Sequence, residues 1–158
     1  MRRFEVFRRG APAVCSLAVG GVLLVLLTAA GCASTSSSSV YSAAASGNQE
    51  ALARYLDKGE DINAASTDKD WTPLHAAACN GHKKMVSRLI GEGAQVNPQD
   101  VDGNTPLHLA ARGGHDSTVR TLLAADADPR IRNHDGETPK DLAAGHPEVQ
   151  NDLSRAGG

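Results

Sequence analysis

The chain repeats one pattern of apolar and polar positions in two places, 33 residues apart. In each place the stripe positions follow the intervals i, i+1, i+4 and i+5, which lie on one side of an α-helix. They are Met85, Val86, Leu89 and Ile90 in the first copy, and Thr118, Val119, Leu122 and Leu123 in the second. Each copy therefore predicts an amphipathic helix whose stripe faces a core.

A shorter helix is predicted ahead of each of these two. Its signature is Thr72-Pro73-Leu74-His75, which returns as Thr105-Pro106-Leu107-His108 and, in a divergent form, as Thr138-Pro139-Lys140-Asp141. Proline suits the first helical position, and the preceding threonine can cap the free N–H groups. Gly81 and Gly114 supply the positive φ that ends the short helix, while Gly93 and Asp126 are predicted to end the longer one in left-handed caps.

A period of this length indicates small units that cannot bury an apolar face alone and that stack into one continuous core. The segment Asp100 to His115 resembles the ankyrin repeat at nearly every fixed position of that motif. The template adds an opening unit over residues 43–63, which lacks Thr-Pro-Leu-His, and a closing unit from Thr138 to about Leu153. The resemblance implies an all-α repeat solenoid of about four units, each a helix-turn-helix with a hairpin loop, over residues 42–156.

The resemblance also assigns roles within the units. It implies that His75 and His108 hydrogen-bond backbone and the threonine hydroxyl, tying hairpin to helix and one unit to the next. In the closing unit Gly145-His146-Pro147 comes early, which predicts a shortened second helix. Because the other repeated histidines also sit at fixed repeat positions, no zinc site is predicted.

The first forty residues have a different character. Arginines near the N-terminus precede an uncharged run from residue 11 to residue 30, as in a secretory signal peptide. Ala29-Ala30-Gly31-Cys32 resembles a bacterial lipobox, which implies cleavage after Gly31 and acylation of Cys32. The predicted organisation is a signal peptide at 1–31, a lipidated Cys32 with a serine-rich tether at 32–41, and the repeats at 42–156.

An alternative for the same segment is a membrane-spanning anchor that is never cleaved, since about 20 apolar residues reach across a bilayer. With cleavage, Ala33 after the cysteine suggests, by family analogy, the outer membrane, so the repeats would face the periplasm. Cys15 would be removed and Cys32 acylated, which leaves Cys79 without a partner for an internal disulfide.

Charge and motifs exclude several function classes. Without residues 1–31 the chain keeps 12 basic and 17 acidic side chains, a net charge of −5, which argues against nucleic acid as a partner. Asp100 to Asn104 starts like a calcium loop but lacks the glycine and glutamate such a loop needs at its sixth and twelfth positions. Because no nucleophile–base arrangement, phosphate loop or Cys-x-x-Cys is present, we predict no catalysis, cofactor or metal.

Partner contacts are predicted at positions that differ from one copy to the next. They are Asp68, Lys69, Trp71, Asn80, Val101, Asp102, Asn104, Arg112, Asp135 and Glu137. Trp71 is the single tryptophan and is expected to point off its hairpin as a binding anchor; the alternative is that it covers the adjoining hairpin. Acidic tips, including Asp70 and Asp100, favour a partner with a basic patch, or they form only a solvated face.

These features predict a lipid-anchored, monomeric protein of the bacterial cell envelope that binds another protein through a concave surface. Two other readings remain. The binding could be inhibitory, as in an immunity protein that occludes a periplasmic enzyme or toxin, or the domain could be an uncleaved membrane-anchored scaffold. A role as enzyme or metal carrier has the least support in the sequence.

Overall fold

A computed structural model describes residues 39–157, which form eight α-helices and no β-strand within that range. The helices are α1 Ser39–Ser46, α2 Gln49–Asp57, α3 Pro73–Cys79, α4 Lys83–Gly91, α5 Pro106–Arg112, α6 Asp116–Leu123, α7 Pro139–Leu142 and α8 Pro147–Ala156. No helix between residues 39 and 157 is long and apolar enough to cross a membrane. The predictions for the signal segment, for Cys32 and for an uncleaved span lie outside the described residues.

The helices pack as four pairs of consecutive helices, and the pairs stack in chain order. The first helices α1, α3, α5 and α7 pack in series, and α4, α6 and α8 pack in a second series behind them. Alanines in the first series, such as Ala77 and Ala110, are fully buried and allow close approach, while Leu89 and Leu122 fill the space between the series. The predicted all-α repeat solenoid is therefore confirmed.

The histidine of each inner Thr-Pro-Leu-His motif joins two units. His75 is fully buried, and its Nδ1 accepts from the Thr72 N–H at 3.1 Å and from the Thr72 hydroxyl at 3.0 Å. Its Nε2 faces the Asn104 carbonyl of the next unit at 3.0 Å and so carries the proton. His108 makes the same contacts with Thr105 and, at 3.2 Å, with the next unit's backbone. The predicted role of both histidines is confirmed.

Two asparagines form a second set of bonds that also point forward along the stack. Asn63 Oδ1 accepts from the Gln95 N–H at 2.9 Å, and Asn97 Oδ1 accepts from the Asp128 N–H at 3.0 Å. Both asparagines bond a backbone N–H of the following unit, and the two histidines bond a backbone carbonyl of the following unit. Each unit is thus held to the next one by a side chain that reaches onto main chain.

The histidine that follows the turn glycine packs against the turn glycine of the preceding unit. A Cβ added at Gly81, whose φ is +67°, would lie 2.6 Å from Nδ1 of His115. The ring of His115 cannot retreat freely, because its Nε2 is 2.9 Å from the carbonyl oxygen of Cys79. His82 covers Gly47 in the same way. The glycine is therefore needed both for its positive φ and for the space above it.

The structure corrects two predicted boundaries. The closing unit was predicted to have a shortened second helix, but its first helix is the short one. Helix α7 has 4 residues, whereas α8, with 10 residues, is the longest described helix. The early Gly145 removes residues from α7, and Pro147 then starts α8 at its favoured first position. At the other end α1 begins at Ser39 and Val40 is fully buried, so the last residues of the predicted tether belong to the first helix. The left-handed caps at Gly93 and Asp126 are confirmed.

Candidate partner-binding surface

The hairpin tips of the second, third and fourth units lie side by side in one row. The Val101 N–H donates to the Lys69 carbonyl at 3.2 Å, and the His134 N–H donates to the Asp102 carbonyl at 2.9 Å. The side chains of these residues are exposed, and Asp68, Asp70 and Asp135 are exposed beside them. We call this set, residues 68–70, 101–102 and 134–135, the hairpin row. Its backbone is held by bonds that do not depend on its side chains.

Trp71 does not point off the hairpin as expected; it reaches the adjoining one. Its Nε1–H donates to Asp100 Oδ2 at 3.0 Å, and its ring stacks on the His75 ring with centroids 6.4 Å apart at an angle of 20°. Lys69 Nζ lies 5.1 Å from the centre of the indole, within the range of a cation–π contact. The indole is half-buried, which matches the alternative that Trp71 covers the next hairpin. Whether it also contacts a partner stays a prediction.

Two residues that the sequence suggested for recognition are structural. Asn104 is buried, and its Oδ1 accepts from Asn133 Nδ2 at 3.2 Å, so it cannot meet a partner directly. Asp100, one of the proposed acidic tips, is also buried; its Oδ1 accepts from the N–H groups of Asp102 and Asn104 at 3.0 and 2.7 Å. A carboxylate that closes its own turn in this way is a turn element rather than a charged tip.

The remaining candidates lie at the margins of the row. Arg112 is exposed at the end of α5, with Nη2 3.5 Å from Asn104 Oδ1, and Asn80 is exposed at the end of α3. Glu137 is half-exposed, and its backbone carbonyl accepts from His108. Arg112 and Asn80 therefore remain available for contact, whereas the backbone of Glu137 serves the stack.

Tyr41 is a half-buried residue near the first hairpin tip, and it was not among the residues predicted from the sequence. It stands 34 residues before His75 and takes the corresponding place in the opening unit. Burial, then the nearby Asp68 carboxylate and Cys79, raise the pKa of its hydroxyl. The sequence contained a signal for Tyr41. When Gly47 is aligned with Gly81, Tyr41 takes the position of the histidine in the Thr-Pro-Leu-His motif. The opening unit therefore contributes an aromatic side chain near the first hairpin tip.

The buried titratable groups are explained by the fold. Burial lowers the pKa of both His75 and His108, while hydrogen bonds to the backbone of the next unit act in the opposite direction. A neutral ring matches the bonding, since a proton on Nδ1 would remove the acceptor that the threonine uses. Within residues 39–157 no group of three or more histidine, cysteine or acidic side chains could hold a metal ion.

Comparison with known proteins agrees with this architecture. The family model described as "Ankyrin repeats (3 copies)" matches residues 40–133 and, in an overlapping second match, residues 92–151. No curated protein matches the chain. Ankyrin repeats generally serve as non-enzymatic scaffolds that bind other proteins. With four stacked helix pairs, their histidine bonds and a family match over most of its length, the chain belongs to the ankyrin-repeat family.

Proposed function

We propose that the hairpin row binds a partner protein that carries a basic patch beside an apolar side chain. The observation that carries this is the composition of the row. Four exposed carboxylates, those of Asp68, Asp70, Asp102 and Asp135, outnumber the one exposed lysine, Lys69. The row also contains His134 and Val101, whose side chain is 49% exposed. Acidic groups around an apolar centre match a cationic partner in charge and give it a place to bury apolar surface.

In this proposal Trp71 stabilises the row rather than acting as a free anchor. Its N–H is used by Asp100, one face lies against His75, and Lys69 lies over the ring. These contacts hold the first tip against the second before any partner arrives. A preformed surface loses less conformational entropy on binding, so this arrangement favours affinity.

The test uses charge reversal and truncation within the row. We expect Asp102→Lys to weaken partner binding strongly, and Val101→Ala to weaken it further in combination, with the melting temperature unchanged because both side chains are exposed. Asp57→Lys, an equal charge change at an exposed position on α2, is the matched control. The partner would first be isolated from envelope extract and its affinity then measured with each purified variant. Equal affinities for the row variants and the control would reject the row as the site.

We infer further that the module is anchored in the cell envelope through acylated Cys32, with the outer membrane and a periplasmic orientation as the expected placement. Support comes from the sequence, where the small residues Ala30 and Gly31 precede the cysteine after an uncharged run. Intact-mass analysis should find a chain that begins at an acylated Cys32. In Cys32→Ser we expect neither processing nor lipid. An uncleaved, unmodified wild-type chain would instead favour the membrane-spanning reading.

A further inference from the structure

A cleft in the fourth unit has a charge opposite to that of the domain. It has a volume of 260 Å³ and lies between the loop before α7, the start of α7 and the end of α8. Its walls carry Arg130, Arg132 and Lys140, and no acidic residue lines it. None of its lining residues belongs to the hairpin row. A cationic cleft in a domain with a net charge of −5 is not explained by the binding of a basic partner at the row.

The nearest carboxylates leave much of this positive charge unpaired. Asp128 pairs with Arg130 at 3.3 Å, and Asp141 accepts from the N–H and hydroxyl of Thr138 at 2.8 and 2.7 Å. The hydrogen bonds from Thr138 are the main cause that lowers the pKa of the Asp141 carboxyl. The nearby positive charges of Arg132 and Lys140 lower it further. Among the described residues, no carboxylate lies within ion-pair distance of Arg132 or Lys140.

The donors available in the cleft suit an anion with several oxygen atoms. The hydroxyls of Thr138 and Ser154 already donate, to Asp141 and to the Gln150 carbonyl respectively. The Lys140 ammonium group and most N–H groups of Arg132 therefore remain for a ligand, and one Arg132 N–H is fixed by the Gly136 carbonyl. A guanidinium group with a neighbouring ammonium group binds phosphate or carboxylate oxygens well.

Size and lining restrict the ligand further. Pro129 and the largely buried Leu153 add an apolar wall, and the volume is below the range of about 300–1,000 Å³ typical of drug-sized ligands. We propose that this cleft binds a single phosphate-type headgroup, either of a small phosphorylated molecule or of an anionic lipid. The proposal is independent of the hairpin row, so either can fail without the other.

The first experiment titrates the ¹⁵N-labelled full chain with inorganic phosphate at constant ionic strength, with chloride as the balancing anion. Saturable amide shifts confined to the segments around Arg130, Arg132 and Lys140 are expected. Lys140→Gln and Arg132→Gln should each weaken phosphate binding about tenfold, the loss expected for one charge-assisted hydrogen bond. Lys140→Arg, which keeps the charge, should retain most of the affinity.

Lys58→Gln makes the same charge change at an exposed site in the first unit and serves as the control. A second titration uses monomeric dihexanoyl phosphatidylglycerol, with dihexanoyl phosphatidylcholine for comparison, and distinguishes the two sources of the headgroup. Stronger binding of the anionic lipid than of phosphate, lost in the same variants, identifies a lipid headgroup; the reverse order identifies a soluble phosphate. The proposal is overturned if neither probe binds, or if Lys58→Gln weakens binding as much as the cleft variants.

Discussion

Replacing Gly81 by alanine tests the packing of glycine against histidine between units. Gly81 and Gly59 each follow a helix C-cap, with φ of +67° and +78°. A Cβ at Gly59 would meet nothing within 4 Å, whereas one at Gly81 would lie 2.6 Å from His115. Gly59→Ala therefore adds backbone strain alone, and Gly81→Ala adds the same strain and a steric conflict.

The structure sets the expected size of each effect. An L-residue in the left-handed region costs about 1–2 kcal/mol, partly offset by about 0.4–1 kcal/mol from the reduced freedom of the unfolded chain. We expect Gly59→Ala to lower the free energy of unfolding by about 1 kcal/mol on that basis. Gly81→Ala should lose about 1–3 kcal/mol more, the usual cost of overpacking, because moving the His115 ring breaks its bond to the Cys79 carbonyl.

Urea unfolding followed by circular dichroism measures both changes, and His115→Ala completes a double-mutant cycle. If the conflict is with the imidazole, Gly81→Ala should cost much less in the His115→Ala background, with a coupling energy in the range of about 0.5–3 kcal/mol seen for residues in contact. Equal losses for the two glycine variants, or additive effects of Gly81→Ala and His115→Ala, would refute this account of the interface.

Three further outcomes are expected. Thr118→Val should raise the free energy of unfolding by about 1 kcal/mol, as measured by urea unfolding, because the fully buried Thr118 hydroxyl has no hydrogen-bond partner among the described residues. The pKa values of His75 and His108 are lowered by folding, so below about pH 6.5 the unfolded chain binds more protons than the folded one. The free energy of unfolding, measured in urea, should therefore fall from pH 7 to pH 5. The fall should be smaller in His75→Asn. Deleting the chain from Asp135 onward should lower the melting temperature in calorimetry, since it removes the helices that cover α5 and α6.

The sequence predicted the features that the repeat motif fixes in every copy. The cap at Thr72 and the left-handed Gly93 depend on residues close in the chain. The bonds of His75, including the one to Asn104 of the next unit, are part of the motif. The orientation of the Trp71 side chain could not be predicted from the motif. Its partner Asp100 is 29 residues away, and only the stacking of hairpins decides that the indole turns towards it.

The candidate surface was predicted only in part, for the same reason. Variation between copies located the exposed tips but could not separate them from Asn104, whose side chain is buried by Asn133 of the following unit. The cationic cleft was not predicted, because its walls come from a loop and two helices that are separated in sequence. The net charge of the domain is negative, so it gave no indication of this basic cleft.

The forward bonds between units have a consequence for how this protein can change. The tips are joined through main-chain atoms, as between Val101 and Lys69, and the histidines also reach main-chain carbonyls. Substitutions at the tips therefore leave the scaffold's hydrogen bonds in place. Specificity could be altered by mutation, in evolution or in the laboratory, at little cost to folding, with Trp71, Asp100 and Asn104 as the positions to keep.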